Sequence, residues 1–163
     1  MQLKKIIDGV FQVEFDTFDI FQLQNAHLEE KSVVKASTKF LALELGLGFS
    51  EVHWWNSFPI GGNIKKPPYS WHHDHTDKTK KCDTLLLIYF VDEELTEETG
   101  GRIGFSDLQG KNKKYYNIVS GSCFIANQYT TLHSVEIIKK QLTKRLCINC
   151  GLFGWDNFYK ELC

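Results

Sequence analysis

The sequence predicts a mainly β fold, an antiparallel barrel or sandwich with an N-terminal helical buttress. Three observations carry this. From Glu51 onward the apolar residues fall into short β-rich runs separated by Gly, Pro, Asn and charged turns, with no helical pattern between them. Ahead of those runs, between about residues 16 and 46, apolar residues recur at helical spacing. The 163 residues, 42% hydrophobic and 24% charged, have the size and composition of one globular domain that needs no disulfide or metal merely to fold. One domain over 1–163 is therefore expected, with helical support over about 16–46 and a β core over about 50–153.

Taken in order, the first fifteen residues suggest one or two short strands turning at Asp8-Gly9. Asp16, Thr17 and Asp19 offer N-caps for the helical stretch, whose apolar positions include Phe18, Phe21, Val33, Val34, Phe40 and Leu41. A break near Glu29 to Ser32 is allowed, and Gly46 is a natural stop. The strands then follow as EVHWWNSF, TLLLIYFV, RIGFSD, KKYYNIV, SCFIAN and RLCINCGLF. TLLLIYFV is apolar on both faces, so it belongs between a barrel interior and a covering layer that the helical segment would supply. Gly100-Gly101 suits a tight bend into the next strand.

Charge and composition exclude several classes. Nineteen Lys+Arg against twenty Asp+Glu leave a net charge of −1, so nothing global points to a nucleic-acid or membrane partner. No apolar run approaches a membrane span, and the N-terminus lacks the pattern of a signal peptide, so a soluble, cytoplasmic protein is expected. The five cysteines are odd in number and irregularly spaced, which suits a reducing compartment better than a disulfide framework. Cys147-Ile-Asn-Cys150 is formally a CxxC. Within a strand its two thiols face opposite sides, which favours packing over redox chemistry.

The histidines carry the chemistry. His72, His73 and His75 sit with Asp74 and Asp77 in WHHDHTD, and His133 lies far downstream at the start of another strand. Imidazole with carboxylate suits iron, manganese or zinc. In a strand, residues i and i+2 share a face, so a His-x-Asp pair directs both side chains at one ion. A third ligand from a distant strand would complete a two-histidine, one-carboxylate set with positions left open. The bland reading of such a segment is a solvated loop.

Read along the chain, Tyr69-Ser-Trp71-His72-His73-Asp74 is followed by a strand ending Ile88-Tyr89-Phe90 and by a loop closing on Gly100-Gly101. Then come Gly121-Ser122-Cys123-Phe124-Ile125, Leu132-His133-Ser134-Val135 and Arg145-Leu146-Cys147-Ile148. The order resembles the iron(II)- and 2-oxoglutarate-dependent dioxygenases, especially the prolyl-hydroxylase-like branch, over roughly residues 50–153. The resemblance implies a double-stranded β-helix, or jelly roll, with a metal at one mouth. His72, Asp74 and His133 carry over as metal ligands and catalytic residues. The overlapping pair His75 and Asp77 stands as the alternative to His72 and Asp74, and His73 points away from both.

By the same resemblance Arg145 binds the far carboxylate of 2-oxoglutarate, a task its planar fork suits. Lys144 is its neighbouring fallback, since strand alternation admits only one of the two inward. Tyr89 is either a hydrogen-bonding partner of the same carboxylate or an aromatic core residue. Asn56, near Phe58, is a candidate for the cosubstrate's other end. Arg102 reads as solvated or as a substrate contact. Trp54, Trp55, Trp71 and Lys78 to Lys81 lie near the expected mouth, with Trp55 and Trp71 reading better as packing residues.

The implied activity is hydroxylation of an unactivated C–H bond through a ferryl oxidant, with Fe(II) as cofactor and 2-oxoglutarate and O2 as the consumed cosubstrates. The implied substrate is a peptidyl residue such as proline, or an amino-acid-like small molecule, with no nucleic acid and no membrane involved. Two alternatives stay open. One is a cupin-type metalloenzyme built on His73-x-His75, although the glutamate expected shortly after it is replaced by Lys78 to Lys81. The other is a non-catalytic jelly-roll module that binds metal structurally.

Overall fold

The computed structural model describes residues 1–16, 18–26, 30–55, 71–74 and 82–162. The described elements run β1 (Gln2–Ile7), β2 (Val10–Glu14), α1 (Phe18–Asn25), α2 (Lys31–Glu44), β3 (Gly48–Trp55), β4 (Thr84–Val91), β5 (Ile103–Asp107), β6 (Lys114–Tyr116), β7 (Cys123–Asn127), β8 (Thr131–Val135), β9 (Arg145–Phe153) and α3 (Trp155–Lys160). The strands form two antiparallel sheets. The larger has the order β1-β2-β7-β4-β9-β3 and the smaller β6-β5-β8.

The period-2 alternation of the central strands divides the core into two layers. On β4, Leu86, Ile88 and Phe90 pack outward with Leu41 and Leu45 from the α2 end and Trp155 and Phe158 of α3. Leu85, Leu87, Tyr89 and Val91 of the same strand pack inward with Ile103 and Phe105 of β5. Every residue of β4 is therefore buried, as its two-faced apolar run requires. The β9 strand divides in the same way. Ile148 and Cys150 belong to the helical side, whereas Cys147 belongs to the space between the sheets. The two thiols of the CxxC thus face opposite layers, and a redox pair cannot form from them.

The covering layer is shared, where the sequence suggested the N-terminal helical segment alone. The short α3 closes it from the other end of the chain, and six residues are too few for a helical period to show. Asp83, just before β4, holds the start of α3 by accepting from the Gly154 and Trp155 amides at 3.0–3.3 Å. Trp54 also departs from expectation. It packs with the helical-side cluster, on the face of the large sheet turned away from the inter-sheet space. No helix among the described residues is long and apolar enough to cross a membrane.

Candidate metal centre

The site begins with a backbone pairing. His72 N–H donates to His133 O at 3.0 Å, and His133 N–H donates to His72 O at 2.8 Å, an isolated antiparallel bridge at the edge of the small sheet. Such a reciprocal pair brings two residues directly opposite each other on one face. The two imidazoles accordingly lie with ring centroids 4.4 Å apart. Asp74, two residues beyond His72, returns to the same face. Its Oδ1 is 3.5 Å from His72 Nε2 and its Oδ2 is 3.7 Å from His133 Nε2. One donor atom from each of the three residues lies within 4.8 Å of the other two. Donors around one shared ion at about 2.1 Å stand roughly 3–3.5 Å apart, so little movement separates this arrangement from a ligand set.

Electrostatics sets Asp74 and His133 in their metal-ready forms. Burial pushes the Asp74 carboxyl up, but the His72 hydrogen bond, the His133 charge and the Asn149 amide outweigh it and hold the group at about 2. Burial pulls His133 down to about 4 against the raising effect of Asp74, so at neutral pH its ring keeps a lone pair to offer. His72 and Asp74 remain partly exposed, with side-chain accessibilities of 42% and 36%, which leaves an approach to the centre. Three donors with open access suit a catalytic ion better than a closed structural site.

A cavity of about 200 Å³ joins this cluster to the inner face of β9. His72, Asp74 and His133 line it together with Tyr89, Arg145, Cys147 and Asn149, and Leu87, Ile103 and Val135 make it largely apolar. Arg145 is fully buried. Its Nε donates to Gly101 O at 3.0 Å, and its guanidinium carbon stands 5.1 Å from the centre of the Tyr89 ring. Gly101 carries this backbone contact at φ 75°, a left-handed conformation that favours glycine, so the Gly-Gly turn helps to seat the arginine. Lys144 is only half-buried and is absent from the cavity wall. A buried cation in the same cavity as two neutral-capable imidazoles and a carboxylate fits a divalent ion with an anionic companion.

The fold as a whole superposes on solved structures. No protein-family model and no curated protein matches the chain. A prolyl 4-hydroxylase of Phytophthora capsici superposes with a TM-score of 0.52 at 15% identity, over 83% of this chain and 50% of that one. A prolyl 4-hydroxylase of Pseudomonas putida gives 0.51 at 12% identity, over 80% of this chain and 69% of that one. The chain shares the fold of these two prolyl 4-hydroxylases. The chain spans half the length of the first of these enzymes.

Asn56, His75 and Asp77 lie outside the described residues, as do Phe58, Tyr69 and Lys78 to Lys81. His73 is exposed and is not part of the three-donor cluster among the described residues, and its partner in the His73-x-His75 alternative lies outside them. Tyr89 is buried in the cavity wall beside Arg145, and burial raises its phenol well above the usual value. Arg102 corrects the expectation of a solvated side chain. It makes a two-pronged ion pair with Glu136, Nε–Oε2 2.7 Å and Nη2–Oε1 2.9 Å, and both side chains are about seven-eighths buried.

Asn149 was missed. Its amide donates to Asp74 Oδ2 at 2.7 Å, tying the carboxylate to the large sheet. The available signal was a polar residue at the same alternation as Arg145 within an otherwise apolar strand.

Proposed function

We propose that the chain is an Fe(II)- and 2-oxoglutarate-dependent hydroxylase. His72, Asp74 and His133 would hold the iron, and Arg145 would bind the distal carboxylate of 2-oxoglutarate. The single observation behind this reading is the shared cavity, which has a two-imidazole, one-carboxylate cluster and a fully buried guanidinium in one largely apolar wall. Bound iron with 2-oxoglutarate and O2 supplies the oxidising power for C–H hydroxylation, the keto acid leaving as succinate and carbon dioxide.

The chain's own residues do the positioning. Asp74 stays ionised and His133 neutral at physiological pH, so no proton must leave either before an ion is bound. Asn149 orients the carboxylate, and Arg145 offers parallel N–H donors to a planar anion. Leu87, Ile103 and Val135 limit water around the reacting groups. The substrate in this reading is a peptidyl residue or an amino-acid-like molecule that approaches from the exposed side of His72 and Asp74.

The test is anaerobic. Purified protein is loaded with Fe(II), 2-oxoglutarate is added, and the visible charge-transfer band of the chelate is recorded. The band is expected in the wild type, weakened in Arg145→Ala, absent in His72→Ala and present in His75→Ala. A band that survives His72→Ala but is lost in His75→Ala moves the ligand pair to His75 and Asp77. No band with metal demonstrably bound rejects the 2-oxoglutarate chemistry.

A further inference from the structure

Among the described residues, the segment that carries His72 and Asp74 meets the small sheet through the two His72–His133 backbone bonds, and one residue earlier it sends a large aromatic side chain over the sheet's outer face. Ile103 and Phe105 of β5 point inward, so Gly104 between them points outward. Its neighbours across the sheet are Tyr115 on β6 and Ser134 on β8. The His72–His133 bridge adds Trp71 beside Ser134, which completes a row Tyr115–Gly104–Ser134–Trp71. The two middle positions are small. The two outer rings close over them, with centroids 5.6 Å apart.

The space above Gly104 is fully used. A Cβ built there would stand 2.7 Å from both Trp71 Cη2 and Tyr115 Cε1. Cations cover the pair from either side. Lys113 Nζ lies 5.3 Å from the Trp71 ring centre and the Arg102 guanidinium 5.6 Å from that of Tyr115, while Arg102 is itself fixed by Glu136. Aromatic rings that close over a sheet glycine stabilise strand pairing at that position.

We propose that Trp71 and Tyr115 form an aromatic latch across Gly104 that holds the His72–Asp74 segment against β8. The latch sets the position of two of the three donors without touching the ion. Tyr115 belongs to a different strand from all three donors and meets the His72–Asp74 segment through Trp71. The inference rests on the metal-binding reading above, but its geometry also makes a prediction for the metal-free chain.

Two measurements on the full chain test it. In amide hydrogen exchange without metal, Tyr115→Ala is expected to speed exchange of His72 N–H, the amide bonded to His133 O, while β4 amides stay protected. In Co(II) titrations followed by visible absorption, Tyr115→Ala and Trp71→Ala are each expected to weaken binding roughly three- to tenfold, the worth of one aromatic pair. Trp71→Phe should recover most of the loss, and the double alanine variant should be no weaker than Trp71→Ala alone. A purely structural role would give additive losses and no such recovery.

If Trp71→Ala does not fold, Tyr115→Ala decides, because Tyr115 is partly exposed on an edge strand. Unchanged His72 exchange and unchanged Co(II) affinity in folded Tyr115→Ala overturn the latch. Co(II) binding that is indifferent to His133→Ala overturns instead the reading of the metal centre, and faster His72 exchange in Tyr115→Ala would still support the latch.

Discussion

At the scale of single residues, the decisive contacts are polar and join positions distant in the chain. Asn149 shows this best. Its amide holds one Asp74 oxygen across 75 positions of sequence, which leaves the other oxygen beside His72 Nε2. Asn149→Ala is expected to weaken Mn(II) binding about 10- to 100-fold, the usual cost of losing a partner that orients a metal ligand. Isothermal titration measures this, and wild-type affinity in the variant would show that the hydrogen bond positions nothing. The sequence displayed His72, Asp74, His133 and Arg145 as chemically distinctive residues, and the structure brings them to one cavity. It could not display Asn149, because an asparagine in a strand reads as a ligand orienter only once its partner is known. Nor could spacing alone separate the two overlapping His-x-Asp registers. Both satisfy the i, i+2 rule; His72 is placed by a backbone bridge to a strand about sixty residues away, and His75 and Asp77 lie outside the described residues.

At the scale of elements, alternation within a strand is what made β4 and β9 legible. The eight buried residues of β4 are divided between two layers by parity, and the apolar run announced this directly. The parity of β9 separates the cavity-lining Arg145, Cys147 and Asn149 from Ile148 and Cys150 on the helical side. It also predicts how the thiols behave. Burial disfavours the thiolate, so it pushes Cys123 and Cys150 well up and Cys147 to about 11, the last moderated by Arg145 and Tyr89. At pH 8 these three cysteines should resist iodoacetamide in the folded protein and become modified only as urea unfolds it. Peptide mass spectrometry reads the pattern, and rapid labelling of Cys147 or Cys150 in native buffer would contradict it. What sequence reasoning missed at this scale was the six-residue α3. Its start is set by Asp83 from another part of the chain and not by a local periodic pattern.

At the scale of the whole molecule, the candidate centre lies where the two sheets meet. His72 and His133 belong to the small sheet side, whereas Asn149 and Arg145 project from β9 of the large one, and the Asp74–Asn149 hydrogen bond crosses between them. A bound ion would therefore fasten a junction that the unfolded chain lacks, and binding of this kind raises stability by mass action. At about one hundred times its Kd, Mn(II) should add about 2.7 kcal/mol, or roughly 5–10 °C in Tm for a chain of this size. In the proposed reading the same junction would impose an order on the ligands, because 2-oxoglutarate would have to reach both the ion on one side and Arg145 on the other. Its own increment in Tm should appear only after metal is present. Arg145→Met should keep the metal increment and lose the 2-oxoglutarate increment, and His133→Ala should lose both. Differential scanning calorimetry of the metal-free, metal-loaded and doubly loaded protein separates these cases. A 2-oxoglutarate increment that persists in Arg145→Met would place its distal carboxylate elsewhere, and one that appears without metal would show that the two ligands do not share the cavity in the proposed way.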